Sequence, residues 1–225
     1  MRAIVLLAVL AGTAQAGPVG SIAGKVSVTE ADGKPAAGAE VIVYVVGFTE
    51  PPGSPPGSPG GTEVVSIAQK GRTFVPDLVA ITVGEKVGFP NGDPFLHNVF
   101  SQSGSRRFDL GSFKKGETKQ KEFPSPGVID VYCNIHPEMA ATILVLPNRR
   151  HTRTKPDGTF VLEGVPKGTW TVFAYTRRAP KPVSSKVTVL EDGETTINLA
   201  LQRGAEPEHL NKYGEKYRPS TTTYR

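Results

Sequence analysis

The sequence predicts an all-β protein of short strands joined by turns, and three observations carry this prediction. Runs of alternating apolar and polar residues recur from residue 20 to residue 202, which is the period of strands rather than of helices. The 25 glycines and 20 prolines of the 225-residue chain disfavour long helices, because both residue types interrupt helical hydrogen bonding. The apolar share of 38% is enough for a hydrophobic core, and the charged share of 21% is too low for general disorder.

Residues 1–16 are expected to be a signal peptide. Arg2 supplies a short positive region, residues 3–11 are apolar, and Ala14-Gln15-Ala16 is a small-x-small cleavage site. The apolar run is about half of the roughly 20 residues that a membrane-spanning helix needs. No other segment of the sequence is long and apolar enough to span a membrane. We therefore expect a periplasmic or secreted bacterial protein, cleaved near Ala16.

The predicted strands form three blocks, and the first and second blocks are separated by a low-complexity segment. Residues 51–61 consist only of Pro, Gly and Ser, which cannot sustain a sheet ladder, and are expected to form a linker. The tail at 204–225 is polar and shows no periodicity, so we expect an extended arm without a core of its own. The strands are predicted at 22–28, 39–46, 63–69, 78–83, 86–89, 97–101, 119–123, 127–132, 141–146, 159–163, 169–175, 184–190 and 195–201.

The first and third blocks carry matching halves of one pattern. Residues 24–43 contain Gly-x-Val and then Asp-Gly-x-Pro-x-x-Gly-Ala-x-Val-x-Val, and residues 156–172 contain Pro-Asp-Gly-x-Phe-x-Leu-x-Gly-Val-Pro-x-Gly-x-Trp-x-Val. Together they resemble a carboxypeptidase regulatory-like domain, a transthyretin-like β-sandwich in which the two stretches normally adjoin. The resemblance implies a discontinuous host domain over 17–50 and 148–203, with a second domain inserted at 62–147. Such insertions are tolerated because loop-closure entropy grows only slowly with loop length.

The single cysteine of the chain stands in an unusual motif. Cys133 opens the pattern C-x-x-H-x-x-M, with His136 and Met139, and His97 stands far upstream. An exported protein leaves an unpaired thiol either buried and inert or bound to a metal. Each of these side chains alone is more simply explained as a structural residue. Jointly they supply the donors of a blue copper centre, which are a thiolate, two imidazoles and a weak axial thioether.

Residues 64–146 also carry a longer pattern around these donors. Residues 74–76 read Phe-x-Pro, residues 79–91 read Val-x-Ile-x-Val-Gly-Glu-x-Val-x-Phe-x-Asn, and an alternating strand leads from Gly127 into Cys133. This pattern resembles the cupredoxins, Greek-key β-sandwiches, and among them the plastocyanin and amicyanin branch. The resemblance implies one Cu(I)/Cu(II) ion held by His97, Cys133, His136 and Met139. It also implies that Asn98 ties the two ligand-bearing loops together and donates a hydrogen bond toward the Cys133 sulfur.

A copper ion with four protein ligands favours electron transfer. Hydrolysis and oxygen chemistry need an open coordination position, which this ligand set does not offer. We therefore expect an electron carrier rather than an enzyme, with redox proteins such as a dehydrogenase or a c-type cytochrome as partners. The resemblance implies that electrons pass through the edge of His136, within an apolar rim formed by Pro94, Phe95, Ile135 and Pro137.

The same residues leave two other functions open. The same ligands would serve a protein that binds or handles copper without electron transfer. They would also serve an extracellular binding module with a structural copper site. Nucleic-acid binding is not expected, because the net charge of +5 is mild and no pattern of basic and aromatic residues accompanies it.

The charge distribution and the two remaining histidines are weaker evidence about function than the copper ligands are. The third block has ten basic and five acidic residues over 148–203, which suits contact with an anionic surface. His151 and His209 are expected to be solvated side chains rather than ligands. A basic cluster is expected either to be solvated or to dock an acidic redox partner, and it comprises Arg106, Arg107, Lys114, Lys115, Lys119 and Lys121.

Overall fold

The structure, a computed structural model, describes residues 17–48 and 64–217. The predicted signal peptide at 1–16, the predicted linker at 51–61 and the end of the tail at 218–225 lie outside the described residues. The described residues form seventeen strands and one short 3-10 helix at Gly104–Arg106. Among them, no helix is long and apolar enough to cross a membrane. The all-β prediction is confirmed.

Most strands lie where the alternating patterns predict them. In chain order they are β1 (Val19–Thr29), β2 (Val41–Val46), β3 (Val65–Ser66), β4 (Ala68–Gln69), β5 (Phe74–Val75), β6 (Leu78–Thr82), β7 (Lys86–Pro90), β8 (His97–Ser101), β9 (Phe108–Phe113), β10 (Thr118–Glu122), β11 (Gly127–Tyr132), β12 (Ala140–Leu146), β13 (His151–Arg153), β14 (Thr159–Pro166), β15 (Gly168–Thr176), β16 (Val183–Val189) and β17 (Glu194–Gln202). The sequence pattern did not predict β5, β9 or β13. Strand β9 is hard to recognise because Gly111, at a φ of 67°, interrupts its alternation.

The strands before the gap at 49–63 and those after residue 150 form one sandwich, which we call the flanking sandwich. Its two sheets have the strand orders β14-β1-β17 and β13-β2-β15-β16. Strand β1 pairs with β17 in parallel, so the first and the last strands of the described chain lie side by side. Buried residues of both sheets, such as Ile22, Val43, Val172 and Leu201, form one hydrophobic core.

The strands from β3 to β12 form a second unit, which we call the central sandwich. Its main sheets have the strand orders β10-β7-β3 and β6-β12-β11-β8-β9. The core between them contains fully buried Phe89, Ile129 and Ile143, together with Cys133 and Met139. The single thiol and the one described thioether therefore lie at one end of a hydrophobic core.

The two sandwiches pack against each other through the outer faces of one sheet from each. Because successive side chains of a strand point to opposite faces, Val43 faces the flanking core while Ile42 and Tyr44 face outward. These outward residues meet Leu78 and Leu144 of the central sandwich. This shared apolar contact explains why β2 is buried on both faces.

His151 is buried, and the expectation that it is solvated is wrong. The residue begins β13 and pairs with Tyr44 of β2, so the basic segment around it becomes an edge strand of the flanking sandwich. Only 6% of His151 is exposed, and burial lowers its pKa to about 4. The imidazole is therefore neutral at neutral pH.

Candidate metal centre

Strand pairing brings the predicted ligands together. His97 begins β8, and Cys133 directly follows β11, its neighbour in the sheet. The two strands run antiparallel, with Tyr132 opposite Phe100, so the start of β8 lies beside the loop that follows β11. The loop from Cys133 to Met139, which we call the ligand loop, then leads into β12.

Three donor atoms form a small triangle at this point. The Nδ1 atoms of His97 and His136 lie 3.9 and 3.8 Å from the Sγ atom of Cys133, and 3.1 Å from each other. His97 and Cys133 are fully buried, and His136 is half-buried. Sides of this length suit a transition-metal ion with bonds of about 2.0–2.3 Å to nitrogen and sulfur.

Met139 closes the ligand loop. Its backbone N–H donates to the carbonyl of His136 at 3.1 Å, and its own carbonyl accepts from the N–H of Cys133 at 3.3 Å. The Met139 side chain is fully buried in the same core as Cys133. The backbone therefore holds the beginning, middle and end of the loop together, and the thioether lies in an apolar setting.

Asp93 fixes the tautomer of His97, and the sequence analysis did not single it out. The Nε2 atom of His97 lies 2.8 Å from an oxygen of Asp93, a carboxylate, which can only accept. Nε2 therefore carries the proton, and Nδ1 presents a lone pair to the triangle. Burial alone raises the pKa of Asp93, but backbone N–H groups of Arg72 and Gly71, with His97, outweigh it and lower this pKa. The signal in the sequence was an aspartate four residues before a candidate ligand.

The site favours a neutral imidazole at His136 and disfavours a bare thiolate at Cys133. Burial, with a further contribution from His97, lowers the pKa of His136. Burial raises the pKa of Cys133, although the backbone N–H groups of Asn98, Ile135 and His136 oppose it. A buried thiol beside two inward lone pairs is well matched to a metal ion, because a coordinating thiol is deprotonated by the metal.

Asn98 links the ligand loop to the neighbouring strand. Its side-chain oxygen accepts a hydrogen bond from the N–H of Asn134 at 3.3 Å, so it ties the two ligand-bearing segments together. Its side-chain nitrogen donates to Asp109 at 2.7 Å and not to the Cys133 sulfur, because the carboxylate is the stronger acceptor. Asn98 instead directs its backbone N–H toward the sulfur, as do Ile135 and His136.

An apolar rim surrounds the exposed side of the triangle. The ring of Phe95 lies 5.3 Å from that of His97 and 5.4 Å from that of His136. Phe95, Leu96 and Ile135 are exposed, as are the flanking prolines Pro94 and Pro137. Apolar side chains that are accessible to solvent therefore surround the half-buried His136.

The tail after β17 contacts the ligand loop, which the sequence analysis did not predict. We call residues 204–217 the C-terminal arm. His209 is not a free solvated side chain, because its Nε2 atom lies 2.8 Å from the carbonyl oxygen of Pro137 and its ring stacks on Tyr132 at 3.9 Å. Tyr217 donates from its hydroxyl to the carbonyl of Cys133 at 2.9 Å.

Part of the predicted basic cluster serves the central sandwich itself. The Arg106 guanidinium donates to the carbonyls of Ser125 and Pro126. The Lys119 ammonium donates to the carbonyl of Leu110 at 2.5 Å and lies over the ring of Phe113. These contacts hold the turn before β11 and join β9 to β10.

Comparison with known proteins finds relatives of the central sandwich. No family model matches the chain. Plastocyanins from Ulva arasakii and Ulva pertusa are each 33% identical over 72 residues, covering 28% of this chain and 74% of the relative. Among solved structures, amicyanin from Paracoccus versutus is 25% identical with a TM-score of 0.36, covering 38% of this chain and 83% of that one. A copper-containing nitrite reductase from Thermus scotoductus is 28% identical with a TM-score of 0.36, covering 38% of this chain and 23% of its own.

The donor chemistry of the triangle is that of a type 1 copper site. Two imidazole nitrogens and one thiolate form its trigonal set, and a buried thioether stands at the end of the same loop.

Proposed function

We propose that this chain, which belongs to the plastocyanin family of cupredoxins, is an exported blue copper protein that carries single electrons between redox partners. The observation that carries the proposal is the triangle of His97 Nδ1, His136 Nδ1 and Cys133 Sγ, whose longest side is 3.9 Å. In this proposal these three residues and Met139 hold the ion. When bound, copper supplies a one-electron couple between Cu(II) and Cu(I).

The residues around the ligands are proposed to keep the site rigid during electron transfer. Asp93 holds His97 in one tautomer and one orientation, and the backbone hydrogen bonds of Met139 hold the ligand loop closed. A site that keeps its shape in both oxidation states needs little rearrangement when the electron moves. Full burial of His97, Cys133 and Met139 also leaves little room for a substrate, which supports a carrier rather than an enzyme.

Electrons are proposed to enter and leave through the His136 side of the site. His136 is the half-buried member of the triangle, and Phe95, Leu96 and Ile135 around it are exposed. An accessible apolar patch of this kind suits a small, short-lived complex with another redox protein. The partner classes that fit are c-type cytochromes and dehydrogenases.

The remaining assignments complete this proposal. The signal peptide predicted at 1–16 supports export to the periplasm or the outside of the cell. We assign the flanking sandwich to a carboxypeptidase regulatory-like domain, because β1, β2 and β14–β17 share one core although the central sandwich separates β2 from β14 in the chain. The central sandwich is then the inserted domain.

The proposal is tested by the colour of the copper-loaded protein. We expect an intense blue absorption in the wild type, caused by the copper–thiolate bond, and its loss in Cys133→Ser with the β-sheet circular dichroism retained. His97→Gln should also lose the colour, whereas the control His151→Gln should keep it, because His151 lies in the flanking sandwich. A colourless copper-loaded wild type would overturn the proposal.

A further inference from the structure

The C-terminal arm crosses from one sandwich to the other. It leaves the end of β17, where the N–H of Gly204 donates to the carbonyl of Arg178 in the flanking sandwich at 2.9 Å. Further along, the side-chain nitrogen of Gln102, just after β8, donates to the carbonyl of Asn211 at 2.9 Å. The arm therefore ends on the central sandwich beside the metal centre, although it has no strand of its own.

A closed ring of hydrogen bonds joins the arm to the ligand loop. The N–H of Lys212 donates to the side-chain oxygen of Asn134 at 3.0 Å, and the Lys212 ammonium pairs with Asp109 at 2.7 Å. Asp109 accepts from Asn98, and Asn98 accepts from the N–H of Asn134. Lys212 and Asn98 thus both hold Asn134, the residue that directly follows Cys133, and Asp109 joins them to each other.

Two aromatic side chains of the arm contact the ligand loop directly. The Tyr217 hydroxyl donates to the carbonyl of Cys133, so both backbone polar groups of Cys133 are engaged. His209 contacts the carbonyl of Pro137, the residue after His136, and stacks on Tyr132, the residue before Cys133. The rings of His209 and Tyr217 also meet edge to face, 5.2 Å apart.

We propose that the C-terminal arm clamps the ligand loop, and that Tyr217 and His209 are positioning residues for the copper site. The proposal rests on the proposed copper-binding function. The arm holds the loop at the residues before and after its ligands, on the side of Tyr132. The exposed rim at Phe95 and Ile135 remains accessible. Residues that fix metal ligands from outside typically change metal affinity about 10- to 100-fold when they are replaced.

The test compares two tyrosines of the arm that undergo the same chemical change. Tyr217→Phe removes the hydrogen bond to Cys133. Tyr213→Phe is the matched control, because Tyr213 is 71% exposed and the variant keeps the ring over which the Lys212 ammonium lies. Copper release to a chelator should be about tenfold or more faster in Tyr217→Phe and unchanged in Tyr213→Phe. In the metal-free protein, amide hydrogen exchange at residues 133–139 should also be faster in Tyr217→Phe only.

The two measurements separate this proposal from the proposed function. Unchanged exchange at 133–139 in the metal-free Tyr217→Phe protein would overturn the clamp, whatever the metal does. Faster exchange with unchanged copper release would overturn the positioning role. A copper-loaded wild type without the blue absorption would instead overturn the proposed function, while faster exchange would still support the clamp.

Discussion

The carboxylate of Asp93 fixes the tautomer and the orientation of the His97 ring. This carboxylate accepts from Nε2 at 2.8 Å, and the Phe95 ring meets the imidazole edge to face. The N–H of Asp93 in turn donates to the side-chain oxygen of Asn91 at 2.9 Å. Asn91 also donates to the carbonyls of Phe95 and Phe113. The turn that contains Asp93 therefore positions His97, and buried hydrogen bonds of Asn91 stabilise this turn.

Replacing this carboxylate should change the redox balance of the bound metal. We expect Asp93→Asn to raise the reduction potential, because a negative charge beside His97 favours the more positive, oxidised ion. If Cu(II) binding weakens tenfold relative to Cu(I), the rise is about 59 mV. Voltammetry of the purified protein measures it, with Asp157→Asn, a turn residue of the flanking sandwich, as the control. A lower or unchanged potential in Asp93→Asn would refute the role given to this residue.

Among the structural elements, the ligand loop could be predicted from the sequence, but the residues outside it that hold the ligands in place could not. Cys133, His136 and Met139 are close in sequence, so their spacing alone predicts that they meet. His97 was predictable because it begins a strand of clear alternation, β8. Asp93 lies in a Gly-Asp-Pro turn, a composition that surface turns share, so its burial depends on tertiary contacts with Gly71 and Arg72 that no local pattern reports.

Because His151 of β13 is buried, the free energy of unfolding depends on pH. The pKa of His151 is about 4 in the folded protein and about 6.5 in an unfolded chain. Below pH 6.5 the unfolded state binds a proton that the folded state does not, so the free energy of unfolding falls as the pH falls toward 4. The loss attributable to this group is about 3 kcal/mol.

Chemical denaturation at pH 7 and pH 4 measures this contribution. The wild type should lose more stability between these pH values than His151→Leu, which has no proton to bind at that position. Comparing the two changes, rather than the absolute stabilities, removes the effect of the substitution on packing. Equal losses in the two proteins would show that His151 is not buried as described.

In the whole molecule, the apolar contact between β2 and β15 on one side and β6 and β12 on the other joins the two sandwiches. Leu144 lies on the outer face of β12 against Tyr44 and Tyr175, while its neighbour Ile143 lies in the central core. The sequence predicted both sandwiches through their separate patterns. It did not predict their contact or the docking of the arm, since a strand buried on both faces shows no alternation and the arm shows no periodicity.

This contact should couple the unfolding of the sandwiches. Trp170, the only tryptophan of the chain, reports on the flanking sandwich, and the copper–thiolate colour reports on the central one. The two signals should change together in the wild type and in Ile143→Ala, and separately in Leu144→Ala. Each substitution should cost about 2–5 kcal/mol. Separate transitions in the wild type would contradict the coupling.

Electron paramagnetic resonance of the full-length protein loaded with one equivalent of copper shows directly whether His97, Cys133 and His136 bind the ion together. A trigonal site of one thiolate and two imidazoles should give a Cu(II) spectrum with a small parallel hyperfine splitting, which disappears on one-electron reduction and returns on reoxidation. A large splitting, typical of tetragonal nitrogen and oxygen ligands, would mean that Cys133 does not bind the metal and would contradict the account.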